Sequence, residues 1–516
     1  MERMRSGKQR CKQRGIEPMK ARESKAREHT AAKTAADTTQ AAAGLLVSAA
    51  HRSSGKTTFA LGLTAALSQR GWVVQPFKKG PDYIDAMWLA SASGRACYNL
   101  DPYLTSIDEV RTFFARRTQH CDLALVEGNQ GLHDGLALDG SNSNAALSVA
   151  LNLPVLLVLD TRGMTRGIAP LILGYQAFDR RVRIAGVILN RVGGARHETK
   201  LRTVIEHYTD VPVLGAIAER LDVAIDERHL GLIPSNEAMD CSAAIARIGA
   251  AIAANVDLDR LLGAAGAGLA PRHPPGPAPG LMHHHDVRIG IAQDRAFGFY
   301  YSDDLETLKA QGAKLVPFDT LRDATLPQVD ALFIGGGFPE MVAPKLEANR
   351  ALRAQIREAI DTGLPVYAEC AGLMYLTRSL TIAGRRHEMV GAIGADVVMH
   401  SRPVGRGYVE LEPTGAAAWH AGVTPGAHIL AHEFHHSALE NVDPKLQFAY
   451  RVVRGHGIDG HNDGIVHRNL LASYSHLRSV GDCEWARRFV AFVRSTKRSP
   501  RGTRASHGPA ERSLLT

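Results

Sequence analysis

Apolar residues fall in short runs, each closed by a turn-forming or charged cluster and followed by a stretch of helical spacing. The runs are Gly44 to Ala50, Trp72 to Phe77, Cys121 to Val126, Pro154 to Leu159, Ile184 to Leu189 and Val211 to Ile217, with helix-like Phe59 to Gln69 after the first. Short continuous runs read as strands buried on both faces, and their alternation with helices predicts a parallel sheet covered on both sides. The pattern restarts at Val287 to Ala292 and continues through a helical stretch, Asp303 to Gln311, to strands at Lys314 to Phe318, Ala331 to Ile334 and Pro365 to Ala368. Between the two series lies Gly263 to His285, rich in Ala, Gly and Pro, which reads as a semi-extended connector outside any core. The expected fold class is α/β with two doubly wound parallel-sheet domains. Its organisation is a disordered basic tail over 1–42, a first domain over 43–262, the linker 263–285, a second domain over 286–496 and a second basic tail over 497–516.

Composition changes this picture little. A chain of 516 residues exceeds what one core supports. Its net charge of +9 suggests a nucleic-acid or membrane partner until the charges are located. Residues 1–40 carry +6 and residues 497–516 carry +4, so the segment between them is near neutral. The N-terminal tail has no apolar core of a signal peptide, and no stretch is apolar for the roughly 18 residues a membrane span needs. A cytoplasmic protein is expected. Six cysteines stand without a Cys-x-x-Cys pair, which argues against a disulfide framework or thiolate metal site. His283-His284-His285 lacks the spaced partners of a metal site.

The first chemical motif is Ala50-His51-Arg52-Ser53-Ser54-Gly55-Lys56-Thr57-Thr58, a phosphate-binding loop between a strand and a helix, with Ala50 at the position of the usual first glycine. Ser53 to Thr58 would bind nucleotide, Lys56 reaching the outer phosphates and Thr57 a Mg²⁺ ion. Glu127, directly after a buried strand, is placed to hold the same ion. Lys78-Lys79-Gly80-Pro81-Asp82-Tyr83-Ile84-Asp85 sets acids and bases at the sheet's C-terminal edge, where ligands bind in open α/β sheets. Asp134 lies a short loop beyond Glu127. A turn role between its glycines competes with function there, and function is favoured.

In the second half, Pro365 to Ala368 runs into Glu369-Cys370-Ala371-Gly372, the strand-to-helix elbow of a nucleophile. With Gly335-Gly336-Gly337 upstream, this resembles the class I glutamine amidotransferase domain. That resemblance implies attack by Cys370 on the glutamine amide, an oxyanion and glutamine pocket at Gly336, Gly337 and Ala371, and His476 as base. Many such domains carry an acid two residues beyond the histidine. This chain has Arg478, which leaves the third partner unassigned. His432-Glu433-Phe434-His435-His436 lacks zinc-protease spacing and is expected to be structural or substrate-side.

The phosphate loop, the Gln75-Pro76-Phe77-Lys78-Lys79-Gly80-Pro81-Asp82-Tyr83-Ile84-Asp85 run, Asn99-Leu100-Asp101 and Gly186-Val187-Ile188-Leu189-Asn190-Arg191-Val192-Gly193 resemble the cobyrinic acid a,c-diamide synthases, relatives of dethiobiotin synthetase. The resemblance implies that ATP and Mg²⁺ activate a tetrapyrrole carboxylate as its acyl phosphate near Asp82, Tyr83, Asp85 and Asp134, and that ammonia from glutamine converts the a and c acetates of cobyrinate or hydrogenobyrinate to amides. The Asn-rich Asp139 to Asn144 loop raises sirohaem or sirohydrochlorin as alternatives. A ParA/MinD-like regulatory ATPase is a distant rival, as is a scaffold with an inactive amidotransferase half. The expected partners are small molecules, with no specific nucleic acid, no membrane and a homodimer left open.

Overall fold

The protein is described by a computed structural model over residues 43–219, 227–228, 231–238, 240–268, 270–273, 285–417, 419 and 426–498. Both expected tails and most of the Pro-rich linker, including His283 and His284, lie outside these residues, apart from Lys497 and Arg498 at the end of the last helix.

Seven strands, β1 (Gly44–Ala49), β2 (Val74–Lys79), β3 (Tyr98–Leu100), β4 (Leu123–Glu127), β5 (Val155–Asp160), β6 (Ile184–Val192) and β7 (Val213–Ala218), form the first sheet in the order β3-β2-β4-β1-β5-β6-β7. Every neighbouring pair is parallel. The central strand β1 is buried along its whole length, as its uninterrupted apolar sequence requires. Helix α1 (Lys56–Gln69), which follows it, is apolar on nearly every side and is accordingly enclosed rather than amphipathic. Gly62 lets it close on helix α2 (Cys241–Asn255): a Cβ there would stand 2.4 Å from Ile252 Cγ1.

The linker expectation needs one correction at its start. A helix runs over Leu258–Ala264, Ala265 is buried in the first core and accepts the Gly44 N–H, and the Arg272 and His273 N–H groups donate to Asp122 Oδ1. Alanine supplied a helix end and core contact where composition suggested an uncommitted connector.

The second sheet contains β8 (Val287–Ala292), β9 (Ala313–Phe318), β10 (Ala331–Ile334), β11 (Val366–Glu369), β12 (Gly405–Pro413), β13 (Ile429–His435), β14 (Gln447–Arg454), β15 (Asn462–His467) and β16 (Leu470–Ser473), ordered β9-β8-β10-β11-β16-β15-β14-β12-β13. Only the first five in that order pair in parallel. From β16 onward all neighbours are antiparallel, so the sheet is mixed: its first five strands form the parallel part expected, and an antiparallel extension adds to it. A separate four-stranded sheet covers residues 377–440 in part. The described residues belong to one compact unit, and none of their helices is long and apolar enough to cross a membrane.

Candidate active site

At the C-terminal edge of β1 the chain must turn sharply into α1, and it does so with Ser53 at φ 58° and Gly55 at φ 89°. Both are left-handed conformations that open backbone N–H groups toward one point. The turn is held from the β6 side: Asn190 Nδ2 donates to Ser54 O at 2.8 Å, and Arg191 Nη1 donates to Ser53 O at 2.7 Å while pairing with Asp160 at 2.6 Å. Lys56 is buried, and that burial lowers its pKa to about 8.

Thr57, the next residue, donates to Glu127 Oε1 at 2.5 Å and to Asp85 Oδ2 at 3.3 Å. Lys78, at the end of β2, lies 2.5 Å from Asp85, 3.0 Å from Glu127 and 4.0 Å from Asp82. Burial works against its charge, but Asp85 and Glu127 outweigh it and hold the ammonium protonated. Asp82 accepts the Asp85 N–H at 3.0 Å, which fixes the start of the following helix. The Glu127 Oε2 atom is buried without a hydrogen-bond partner. An unpartnered carboxylate oxygen next to a threonine hydroxyl at a phosphate loop is an all-oxygen donor set that fits Mg²⁺, which takes few protein ligands and completes its shell with phosphates and water.

Across a cavity of about 340 Å³ stands the second centre. Cys370, at the elbow after β11, has φ 48° and ψ −100°, a strained conformation of the kind stored at functional sites. Its N–H donates to Ser473 O at 2.7 Å on neighbouring β16. Gly372 cannot carry a side chain, since a Cβ would stand 2.1 Å from Ile334 O. His476 follows β16 and is tied to β13 by backbone bonds, donating to His432 O at 2.8 Å and accepting the His432 N–H at 3.3 Å. Its Nδ1 lies 3.4 Å from Glu369 Oε2, an ion-pair separation and not a well-formed hydrogen bond. Glu369 is itself fixed by the Leu477 N–H at 2.9 Å and the Tyr367 hydroxyl. Burial opposes charge on His476, yet Cys370 and Glu369 push its pKa up to about 10. The stacked His432 ring, 4.9 Å away, is driven the other way by burial and by that charge.

The predicted residues therefore gather into two groups, with one exception and one reassignment. Ser53 to Thr58, Asp82, Asp85 and Glu127 surround the phosphate-loop edge. Gly337, Cys370 and His476 line the cavity; Gly336 backs His476, with room for no Cβ, which would stand 2.7 Å from the ring Cε1. Ala371 begins the short helix after Cys370. Asp134 is the exception: its exposed carboxylate accepts the Gly131 N–H at 3.0 Å, the turn role its glycine neighbours suggested. Tyr83 is reassigned. Its ring belongs to the second centre, 5.3 Å from His476, 5.8 Å from His432, and stacked on Phe299 at 5.4 Å.

Sequence reasoning left Glu369 without a role, although an acid directly before the nucleophile was the available signal. Lys78 stood inside a quoted motif without a function of its own. The Asn-rich loop is braced by its own side chains: Asn142 accepts the Leu136 and Ala137 N–H groups, Ser143 caps a helix, and buried Asn144 donates to Ser48 and Gly131 O while accepting the Asn129 N–H. Arg478 departs from the amidotransferase pattern because it serves the joint between halves, donating to Asn99 O at 2.5 Å and pairing with Asp303 at 2.9 Å.

A fold that carries a phosphate loop on one sheet and a cysteine–histidine centre on a second, with Asp82 of the first half and Cys370 of the second lining one cavity, belongs to the ATP-dependent amide ligases that draw nitrogen from glutamine. Residues 288–481 match the CobB/CobQ-like glutamine amidotransferase domain and residues 43–225 an AAA domain. The chain is 47% identical to the cobyrinate a,c-diamide synthase of Magnetococcus marinus over 87% of its own length and 97% of that protein's. It is 39% identical to those of Methanosarcina acetivorans and Listeria monocytogenes, covering 93% and 95% of them and 86% and 84% of itself. The chain belongs to the cobyrinate a,c-diamide synthase family.

Proposed function

We propose that the chain amidates the a and c acetate side chains of cobyrinate or hydrogenobyrinate, using ATP to activate each carboxylate and glutamine to supply ammonia. The observation that carries this reading is the single cavity with Lys79, Asp82 and Asn129 on one wall and Cys370 and His476 on the other. Free ammonia is protonated in water and a carboxylate is a poor electrophile, so amidation needs a protected nitrogen source next to an activated acyl group.

In the first half, Ser53 to Thr58 wrap the phosphates and Lys56 neutralises charge on the transferring phosphoryl. Thr57 and Glu127 would hold Mg²⁺, which supplies Lewis-acid charge neutralisation when bound. Lys78 holds Asp85 and Glu127 in register and prevents their mutual repulsion. Asp82 faces the incoming carboxylate, whose oxygen attacks the γ-phosphorus and displaces ADP. Asp134 acts through the turn it fixes and not by contact with the acyl group. In the second half the Cys370 thiolate attacks the glutamine carboxamide carbon. The C–N bond breaks as His476, oriented by Glu369, protonates the leaving nitrogen, and water then cleaves the thioester to glutamate. Ammonia displaces phosphate from the acyl phosphate. Gly336, Gly337 and Ala371 bound the pocket for the glutamine side chain and its oxyanion. Both half-reactions lie within one chain, so the reading needs no second copy, and their substrates assign the protein to the cytoplasm.

The test is incubation with ATP, Mg²⁺, glutamine and cobyrinate, hydrogenobyrinate or sirohaem, read by mass spectrometry. Two successive carboxyl-to-amide mass changes on cobyrinate or hydrogenobyrinate are expected. Conversion of sirohaem alone, or ATP hydrolysis with no amide from any of them, overturns the assignment.

A further inference from the structure

A second cavity, of about 660 Å³, opens where the two halves meet, bounded by Pro102, Tyr103, Leu136 and Asn142 from the first and Arg454 from the second. It lies outside the two reaction centres, and four features of it point to one kind of ligand. Leu136 and Leu138 are large apolar residues left exposed in a single loop, Leu136 at 57% on the cavity wall and Leu138 fully exposed beside it. Arg454 makes no ion pair among the described residues. Its Nη1 donates to the Tyr103 hydroxyl at 2.6 Å and its guanidinium lies 5.6 Å from that ring's centre, which leaves donors free for an anion. Tyr103 stacks on Tyr408 at 4.1 Å, and the Tyr408 hydroxyl is held by both Asp101 oxygens at 3.0 and 2.9 Å. Tyr408 in turn lines the reaction cavity with Lys79 and Asp82, so the aromatic pair forms the partition between the two spaces.

An apolar wall, a stacked aromatic pair and a cation with open donors suit a flat, largely apolar body bearing carboxylate arms. The nucleotide base does not compete for this place. The phosphate loop is gripped by Asn190 and Arg191 at the end of β6, whereas Pro102 and Tyr103 follow β3 and Leu136 follows β4, on the opposite side of β1 in the sheet.

We propose that this cavity seats the macrocycle of the tetrapyrrole substrate, with Leu136 against its apolar body and Arg454 on a carboxylate arm that is not reacting. Tyr103 and Tyr408 then steer the reacting acetate past the partition to Lys79 and Asp82. The proposal rests on the assignment of a tetrapyrrole polycarboxylate as substrate, and its test separates the two. Arg454→Ala, Arg454→Lys and Leu136→Asp are made in the full chain, their folding is checked by thermal melting, and KM is measured for cobyrinate, ATP and glutamine. A KM for cobyrinate raised at least about tenfold in Arg454→Ala and Leu136→Asp, with partial recovery in Arg454→Lys and little change for ATP or glutamine, is the expected result. Wild-type KM for cobyrinate in both of the severe variants, or an equal rise for ATP, overturns the site alone. A wild-type enzyme that amidates no tetrapyrrole overturns the substrate assignment.

Discussion

At the residue scale, two buried cations govern the chemistry, and their surroundings displace their pKa values in opposite directions. Lys56 is depressed to about 8 by burial, so above that pH it is largely neutral while no ligand is present. Polyphosphate favours the charged form. ATP binding near pH 8–9 should therefore take up protons and weaken as pH rises through 8. Calorimetric titration in buffers of different ionisation enthalpy measures this directly, and Lys56→Met should abolish the uptake. His476 is raised from an ordinary 6.5 to about 10 by Cys370 and Glu369 against the opposing effect of burial. Its contribution to stability is complete below about 6.5 and is lost as pH rises through 10. Glu369→Gln removes one of the two groups that sustain the imidazolium. Glutamine-dependent turnover should fall roughly 10²-fold, and its alkaline limb should move to lower pH. Amidation supported by added ammonium salt should persist, and its parallel loss would instead assign Glu369 to the fold of both centres.

At the element scale, glycines set what the strand-to-helix turns can do. A Cβ on Gly336 would meet the terminal part of the His476 ring, which can shift, whereas one on Gly372 would meet the Ile334 carbonyl of a buried strand, which cannot. Gly336→Ala is expected to fold and to lose glutaminase selectively. Gly372→Ala should destabilise the second half by at least about 1–3 kcal/mol, measured as a drop in urea midpoint. Six strands of the first sheet were legible in the sequence because they are continuous apolar runs, whereas β3, only three residues long, gave no such run; β2 and β4 also extend through Lys79 and Glu127, since a charged residue can finish a strand when its partner waits at the sheet edge. The antiparallel half of the second sheet was not legible. Its strands, such as Gly405–Pro413 and Gln447–Arg454, alternate weakly and carry arginine, glutamate and glutamine, so no apolar run announces them. The His432-Glu433-Phe434-His435 run, without zinc-protease spacing, reads in the sequence as a structural or substrate-side element. It is the end of β13, where Glu433 accepts the His456 and Gly457 N–H groups and His432 stacks on His476, two jobs on opposite faces of one strand.

At the scale of the whole molecule, the proposed mechanism is efficient when ammonia is made as an acyl phosphate stands ready to receive it, and two residues tie the centres together. Tyr83 is carried between Asp82 and Asp85, the carboxylates beside Thr57 and Lys78, yet its ring packs on His476 and on Tyr301 at 4.5 Å. Any shift of the Asp82–Asp85 turn moves a wall of the glutaminase centre. Such a joint is invisible in sequence, because it depends on packing between residues almost four hundred positions apart and no local pattern encodes it. Arg478 locks the same joint: it is buried, pairs with Asp303 of the second half and donates to Asn99 O of the first. Removing it in Arg478→Leu leaves Asp303 buried without its cation, which should cost about 3–5 kcal/mol and lower the melting temperature. Tyr83→Ala offers the cleaner separation, because it removes the contact between centres without leaving a buried charge unpaired. In the wild type glutamate release should track amide formation. In Tyr83→Ala glutaminase should continue without acceptor, so that glutamate exceeds amide while ammonium-supported amidation keeps most of its rate. A variant that lost both activities in proportion would show that Tyr83 serves the fold of the cavity and not the coupling across it.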